Sequence, residues 1–183
     1  MTKNKSSGNV SKNDLGEDIK DISEKRLFSD LGQLVLLVVF AIIWSLDSFL
    51  FHFSNFLAKY IPLYVRLPIA IIPILFGLIL AYLGFKQVFQ EERDSPEVIT
   101  KGVFGLIRHP TYLGAILIYV GWILTTLSLI SLGMLVIIIL FYNYIATHEE
   151  KVMVKQFGEE YETYKQGVPK WIPGSKYIQQ KRD

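Results

Sequence analysis

The sequence has 183 residues, of which 51% are hydrophobic, and its formal net charge is only +2. This length suits a single domain, and the apolar content is higher than a soluble domain of this size requires. Because the sequence contains no cysteine, disulfide frameworks, zinc thiolate sites and cysteine nucleophiles are excluded.

The N-terminal segment, residues 1–26, is rich in Lys, Ser, Asn, Asp and Glu. A segment of this composition buries too little apolar surface to offset the entropy that it loses on ordering. We therefore expect a disordered or loosely helical cytosolic tail, followed by a single membrane domain over residues 27–183.

Two hydrophobic runs, at about residues 31–51 and 67–85, are each long enough to span a membrane. The only charged residue in the first run is Asp47. Because Asp47 lies close to the end of that run, we expect its carboxylate to be exposed at the membrane interface.

A third run, Thr111 to Thr147, contains no charged residue. As one helix it would be about 55 Å long, nearly twice the thickness of a bilayer core. The run must therefore reverse, and polar and small residues predict the turn between Thr126 and Gly133. The predicted fold is thus an all-α integral membrane protein with about four transmembrane helices. The last two, at 111–127 and 131–147, form a tight hairpin, and a cytosolic C-terminal helix over about 149–165 follows.

The positive charges predict an orientation. Of the 19 Lys and Arg residues, only Lys59 and Arg66 lie in the 52–66 loop, and none lies in the hairpin turn. Because cytoplasmic loops carry an excess of Lys and Arg, we expect both termini and the 86–110 loop to be cytosolic. Two glycine pairs, Gly77 with Gly84 and Gly114 with Gly121, each share one helical face, which favours close helix packing.

Two polar clusters meet where the ends of the hairpin emerge. The first, Arg108 to Tyr112, begins the third span. Pro110 suits a first helical position and places His109 at the cap, so that the helix N-terminus and Arg108 together favour an anion. The alternative is that Arg108 and His109 are ordinary interfacial residues.

The second cluster, His148 to Glu150, predicts two carboxylates at the end of the fourth span. Acidic residues at a helix C-terminus oppose the helix dipole, which is consistent with a functional role, and a solvated charge pair just outside the membrane is the alternative. A metalloprotease motif is excluded because Val152 stands where the second His is required. No metal site is predicted, and the interleaving of acidic with basic residues predicts no nucleic-acid partner.

Three segments in order resemble the isoprenylcysteine carboxyl methyltransferase family, which is related to the phospholipid methyltransferases. The resemblance covers about residues 98–173. The first segment is Gly102–Gly114, the second is Glu149-Glu150 followed by Phe157–Tyr161 and Tyr164, and the third is Val168–Pro173. It implies that S-adenosylmethionine is enclosed by the helical hairpin and the C-terminal segment.

The resemblance also implies the site residues. His109, Tyr112 and Glu150 would hold the cofactor, with the backbone of Gly102 and Leu113 nearby. The helix N-terminus at His109-Pro110 suits the cofactor's carboxylate, and either Glu149 or Glu150 suits its ammonium group.

The implied substrate is an isoprenylcysteine-like carboxylate or another lipid-like molecule in the bilayer. Arg108 or Lys170 would position a carboxylate acceptor, whereas an amine acceptor would need Glu150 or His109 to remove a proton. Many relatives have Arg where Lys170 stands, and Lys lacks the planar bidentate grip of Arg. The alternatives are a phospholipid N-methyltransferase, a nicotinamide-dependent reductase of the sterol type, and a membrane scaffold without activity.

Overall fold

The computed structural model describes residues 12–91 and 97–172, which are predominantly helical and include no β-strand. Two short helical segments, Leu46–Phe51 (a π-helix) and Phe56–Lys59 (a 3₁₀ turn), follow the first helix, and a 3₁₀ turn at Gly102–Gly105 precedes the third. The α-helices are α1 (Lys12–Ser45), α2 (Leu63–Glu91), α3 (Pro110–Thr126), α4 (Leu129–Phe157) and α5 (Glu159–Gly167). The predicted all-α class is confirmed.

The chain divides into two compact units within α1, one ending at Val39 and one beginning at Phe40. In the first unit the described part is helical from Lys12 onward, so the second half of the polar 1–26 segment is helical. Residues 1–11 lie outside the described residues, and the disorder of this segment stays a prediction. The second unit contains α2 to α5 and every predicted site residue.

Three helical stretches are long and apolar enough to cross a membrane, namely Ser29–Phe51, Leu63–Gln90 and Leu129–Phe157. The fourth, α3, is apolar but shorter at 17 residues, or about 25 Å. This is an integral membrane protein, and each of the four stretches overlaps one of the predicted spans, although it stays a prediction that all four cross the membrane. Helices α2 and α4 run beyond the predicted bounds 67–85 and 131–147, because hydropathy marks only the apolar part of each helix.

The predicted reversal between α3 and α4 takes only two residues. Leu127 ends α3 in a left-handed conformation (φ 54°), and Ser128 caps α4 by accepting a hydrogen bond from the Ser131 N–H at 3.1 Å. The helices of this hairpin are connected closely, but α3 packs more extensively against α2 than against α4.

Glycines bring α2 and α3 into backbone contact, as their spacing predicts. A Cβ atom on Gly77 would lie 2.5 Å from the Gly114 carbonyl oxygen, and one on Gly114 would lie 2.5 Å from that of Gly77. A Cβ atom on Gly84 would lie 2.6 Å from the Thr111 side-chain oxygen, and Gly121 also lies at the interface. Small residues allow this approach, and in a bilayer such packing contributes much of helix association.

We expect Gly114→Val to lower stability by about 1–3 kcal/mol, as overpacking does, because the new side chain must push α2 away. Unfolding in sodium dodecyl sulfate, followed by tryptophan fluorescence, measures the change. The matched control is Gly133→Val on α4, where an added Cβ meets no described atom within 4 Å. Equal losses for the two variants would contradict the close packing.

The predicted interfacial exposure of Asp47 is wrong. Its side chain is only 4% exposed, and it accepts hydrogen bonds from the Ser54 N–H at 2.9 Å and from the hydroxyls of Ser54 and Ser128 at 2.5 Å each. The chain reverses at His52, which adopts a left-handed conformation (φ 51°). This turn carries Ser54 back over the carboxylate and ties the first loop to the hairpin turn.

The C-terminal helix also differs from the prediction of one helix over 149–165. Helix α4 continues to Phe157, and Gly158 (φ 59°) separates it from α5. A positive φ costs glycine little, so the chain bends there. Helix α5 then buries Tyr161 and Tyr164 together with Val168.

Candidate functional site

The N-terminus of α3 forms one wall of the site. His109 is the cap residue, Pro110 occupies the first turn as predicted, and the Leu113 N–H donates to the His109 carbonyl at 3.1 Å. The His109 side chain makes no capping hydrogen bond and is therefore directed to other partners. A helix N-terminus carries N–H groups without intrahelical acceptors and a partial positive charge.

Glu150 of α4 joins the two predicted clusters. Its Oε1 atom lies 3.1 Å from His109 Nε2 and 3.4 Å from Arg108 Nε. The side chains of Arg108 and Glu150 are only 10% and 7% exposed. A buried charge of this kind is stable only when it is paired, so Glu150 and Arg108 depend on each other.

Glu149 lies on the other side of His109 and is much more accessible, with 40% of its side chain exposed. His109 Nδ1 is 3.9 Å from Glu149 Oε2, and the Tyr112 hydroxyl donates a hydrogen bond to the same carboxylate. The prediction that these acids end a helix is wrong, because α4 runs on to Phe157. Glu149 and Glu150 nevertheless lie beside His109, although α4 continues past them.

Aromatic rings surround His109. The rings of His109 and Tyr112 are nearly parallel, at 4°, with centroids 5.6 Å apart. The Trp171 ring lies 5.8 Å from His109, and the Tyr142 ring lies 5.3 Å from Tyr112. These faces offer a surface on which a flat ring system can stack.

The C-terminal segment closes over the same region. The Arg108 N–H donates to the Pro169 carbonyl at 3.0 Å, and its guanidinium donates to the Lys165 carbonyl at 3.2 Å. The structure thus brings the C-terminal segment, at Pro169, against the Gly102–Gly114 segment, at Arg108. Further out, the hydroxyl of Tyr164 donates to the Phe104 carbonyl at 2.8 Å.

Lys170 is held against α4. Its Nζ donates to the Thr147 hydroxyl at 2.6 Å and to the Asn143 side chain at 3.0 Å. Burial lowers the pKa of Lys170 from its usual value, while the Glu150 carboxylate opposes this shift and Arg108 adds to it. Its hydrogen bonds are to neutral groups, in contrast to the ion pair that Arg108 makes.

The structure therefore assembles Arg108, His109, Tyr112, Glu149 and Glu150 into one cluster. Pro110 and Leu113 lie in the first turn of α3 beneath it. Gly102 adopts a positive φ of 56° and lies against α2, where a Cβ would be 2.5 Å from the Gln87 side chain.

Two residues of the site were missed in the sequence. Tyr142 packs against Tyr112 with its ring tilted by 42°, and Asn143 accepts hydrogen bonds from both Lys170 and Trp171. Asn143 carries the only side-chain amide in the charge-free run 111–147. This isolated polar residue could have indicated a site residue in the sequence. Within the described residues, no group of three or more His, Cys, Asp or Glu could hold a metal ion.

Comparison with known proteins gives one family match and several relatives. Residues 69–160 match the model of the phospholipid methyltransferase family. The chain is 32% identical over 114 residues to the protein-S-isoprenylcysteine O-methyltransferase of Xenopus laevis, covering 57% of this chain and 40% of that protein. The Schizosaccharomyces pombe enzyme of the same name is 29% identical over 96 residues, or 49% of this chain and 39% of that one.

A methanethiol S-methyltransferase of Crocosphaera subtropica is 27% identical over 143 residues, which cover 78% of this chain and 48% of that protein. The chain thus matches between two fifths and one half of the length of these relatives. No solved structure gives a significant match. The matched segment runs from α2 to α5 and contains His109, Glu149 and Glu150, and the chain belongs to the phospholipid methyltransferase family.

Proposed function

We propose that this chain is a membrane methyltransferase that uses S-adenosylmethionine and binds it between the N-terminus of α3 and Glu149-Glu150 of α4. The observation that carries the proposal is the position of His109, within 3.1 Å of one carboxylate and 3.9 Å of the other. The family match and the names of the three relatives support the methyltransferase class.

The residues present fit the chemistry of this cofactor. Its amino-acid end is a zwitterion, so it needs an anion site and a carboxylate side by side, and the α3 N-terminus and Glu149 offer both. Glu149 is the better partner for the ammonium group, because the Oε1 atom of Glu150 already lies against Arg108 and His109. The rings of Tyr112 and Trp171 suit the adenine.

When bound, S-adenosylmethionine supplies an electrophilic methyl group on a sulfonium. The protein must hold the acceptor in line with that methyl group and keep water away. A carboxylate acceptor is already anionic at neutral pH and needs no base, only a cation that fixes it. We assign this role to Lys170, because the charge of Arg108 is already paired with Glu150 whereas that of Lys170 meets neutral oxygens.

Lys170→Met should therefore raise KM for a carboxylate acceptor about tenfold, as expected for the loss of one charge-assisted contact. Lys170→Arg should restore much of the affinity, because it keeps the charge. Initial-rate measurements in detergent provide both constants. If the Met variant changed kcat and left KM unaltered, Lys170 would not be the group that holds the acceptor.

Our first choice of acceptor is the carboxylate of an isoprenylcysteine-like lipid, as the names of two relatives suggest. The family description favours an amine of a phospholipid as the second candidate. Purified protein, methyl-labelled S-adenosylmethionine and each acceptor in turn would separate them. We expect a base-labile methyl ester on a farnesylated cysteine. Label on phosphatidylethanolamine alone would reassign the acceptor, and no transfer to any acceptor would count against the methyltransferase.

We also propose that the site faces the cytosol, since Lys59 and Arg66 are the only Lys or Arg residues on the other side of the predicted topology. The sequence has no cysteine, so one introduced cysteine is a clean reporter. In right-side-out vesicles, we expect Tyr60→Cys to react with an impermeant maleimide and Lys101→Cys to react only after lysis. Both native side chains are exposed. The reverse labelling pattern would overturn the orientation.

A further inference from the structure

A cavity of about 480 Å³ lies at the opposite end of the helices from the candidate site. Its walls come from the end of the first span, the 52–66 loop, the start of α2, and Thr125 and Thr126 at the end of α3. The length of α3 separates it from His109 by about 25 Å. Nothing in the proposed methyl transfer requires this cavity.

The charge of the cavity is one-sided. All three basic side chains of the 52–66 loop line it, namely His52, Lys59 and Arg66. Among the described side chains in its walls, none is acidic. Lys59 and Arg66 are also the only Lys or Arg residues that the predicted topology places on this side of the membrane. Both of them line the cavity.

Three of the lining residues also carry buried polar atoms without partners among the described residues. Ser48 is 5% exposed, and its hydroxyl has no hydrogen-bond partner within the described part of the chain. The same holds for Arg66 Nε and Asn55 Oδ1, both on lining residues. Buried polar groups of this kind are rarely left unsatisfied, so the wall beneath the basic side chains has unused hydrogen-bonding capacity.

The charged side chains suggest what the ligand offers. Arg66 is fixed by its Nη1 donating to the Thr125 carbonyl at 2.7 Å, which holds its positive charge at the cavity wall. Together with Lys59, it suits the oxygens of a phosphate.

The apolar part of the wall favours a lipid over a free ion. Phe49, Phe56 and Leu63 line the cavity and are 65%, 51% and 52% exposed. The nearby carboxylate of Asp47 is not a lining residue, and its oxygens are directed to Ser54 and Ser128. We propose that this cavity binds the phosphate head group of an anionic phospholipid in the leaflet opposite the candidate methyl-transfer site.

Native mass spectrometry of the full chain in detergent tests the proposal, with phosphatidylglycerol and phosphatidylcholine as the probes. We expect phosphatidylglycerol to bind about tenfold more tightly, in line with one or two charge-assisted hydrogen bonds. Lys59→Gln and Arg66→Gln should each remove most of that preference. The control is Lys86→Gln, an exposed charge toward the other end of α2, which should leave it unchanged.

Three results would overturn the proposal. They are equal binding of the two lipids, equal weakening by Lys59→Gln and Lys86→Gln, and displacement of the lipid by millimolar inorganic phosphate, which would indicate a free anion. Arg66 also supports α3 through Thr125, so a thermal melt accompanies its variant. Lys59 is exposed, and its variant carries the test if Arg66→Gln does not fold.

Discussion

Replacing Glu150 by Gln should destabilise the protein and abolish cofactor binding together. The carboxylate lies in a buried pair with Arg108 and also contacts His109. Removing one partner of a buried ion pair leaves the other charge uncompensated and typically costs about 3–5 kcal/mol. Unfolding in sodium dodecyl sulfate and equilibrium binding of labelled S-adenosylmethionine measure the two effects.

The neighbouring acid is the matched control. Glu149 is 40% exposed, so Glu149→Gln should lower stability by less than about 1 kcal/mol, as for exposed ion pairs. It should still weaken S-adenosylmethionine about tenfold or more, since a charge-assisted hydrogen bond to the ammonium group is lost. If Glu149→Gln bound the cofactor normally, the assignment of Glu149 as its ammonium partner would be wrong.

Asp47→Ala should be the most destabilising substitution outside the site. Asp47 accepts three hydrogen bonds from Ser54 and Ser128 in a place that is 4% exposed. Its removal takes away the acceptor of the Ser54 N–H and of both hydroxyls, and hydrogen bonds to a charged group contribute about 1.5–3 kcal/mol each. We expect the free energy of unfolding to fall by about 3 kcal/mol or more.

The control for this prediction is Asp30→Ala, since Asp30 is an exposed acid on α1. Its loss should change the free energy of unfolding by less than about 0.5 kcal/mol. Asp47→Asn should fall between the two, because the amide keeps one acceptor oxygen. An Asp47→Ala variant as stable as Asp30→Ala would show that the Ser54 and Ser128 contacts contribute little.

The features that sequence predicted well are those set by local chemistry. Pro110 fixes the start of α3, and the charge-free run requires a reversal that the structure makes at Leu127 and Ser128. The glycine contacts between α2 and α3 follow from Gly77 and Gly114 in the same way. Hydropathy, capping and small-residue spacing are all readable without knowing the neighbours.

The features that sequence missed depend on distant parts of the chain. The burial of Asp47 requires the reversal at His52 and a serine from the hairpin turn. Neither hydropathy nor charge predicts such a contact. The break at Gly158 was missed because a glycine between two helical patterns is compatible with a continuous helix.

At the site, the sequence predicted that the Arg108–Tyr112 and His148–Glu150 clusters lie side by side. It did not distinguish the role of Glu149 from that of Glu150. Their difference in exposure, 40% against 7%, separates them only in three dimensions. The same is true of Lys170, whose contacts with Asn143 and Thr147 cross from the C-terminal segment to α4.

The central claim is that the hairpin ends bind S-adenosylmethionine, and titration of the cofactor into the purified wild-type chain tests it most directly. We expect micromolar binding, on the order of −8 kcal/mol, that S-adenosylhomocysteine competes away and that His109→Ala weakens about tenfold or more. Folded wild-type protein that binds neither compound, or a His109→Ala variant that binds as well as wild type, would contradict the account.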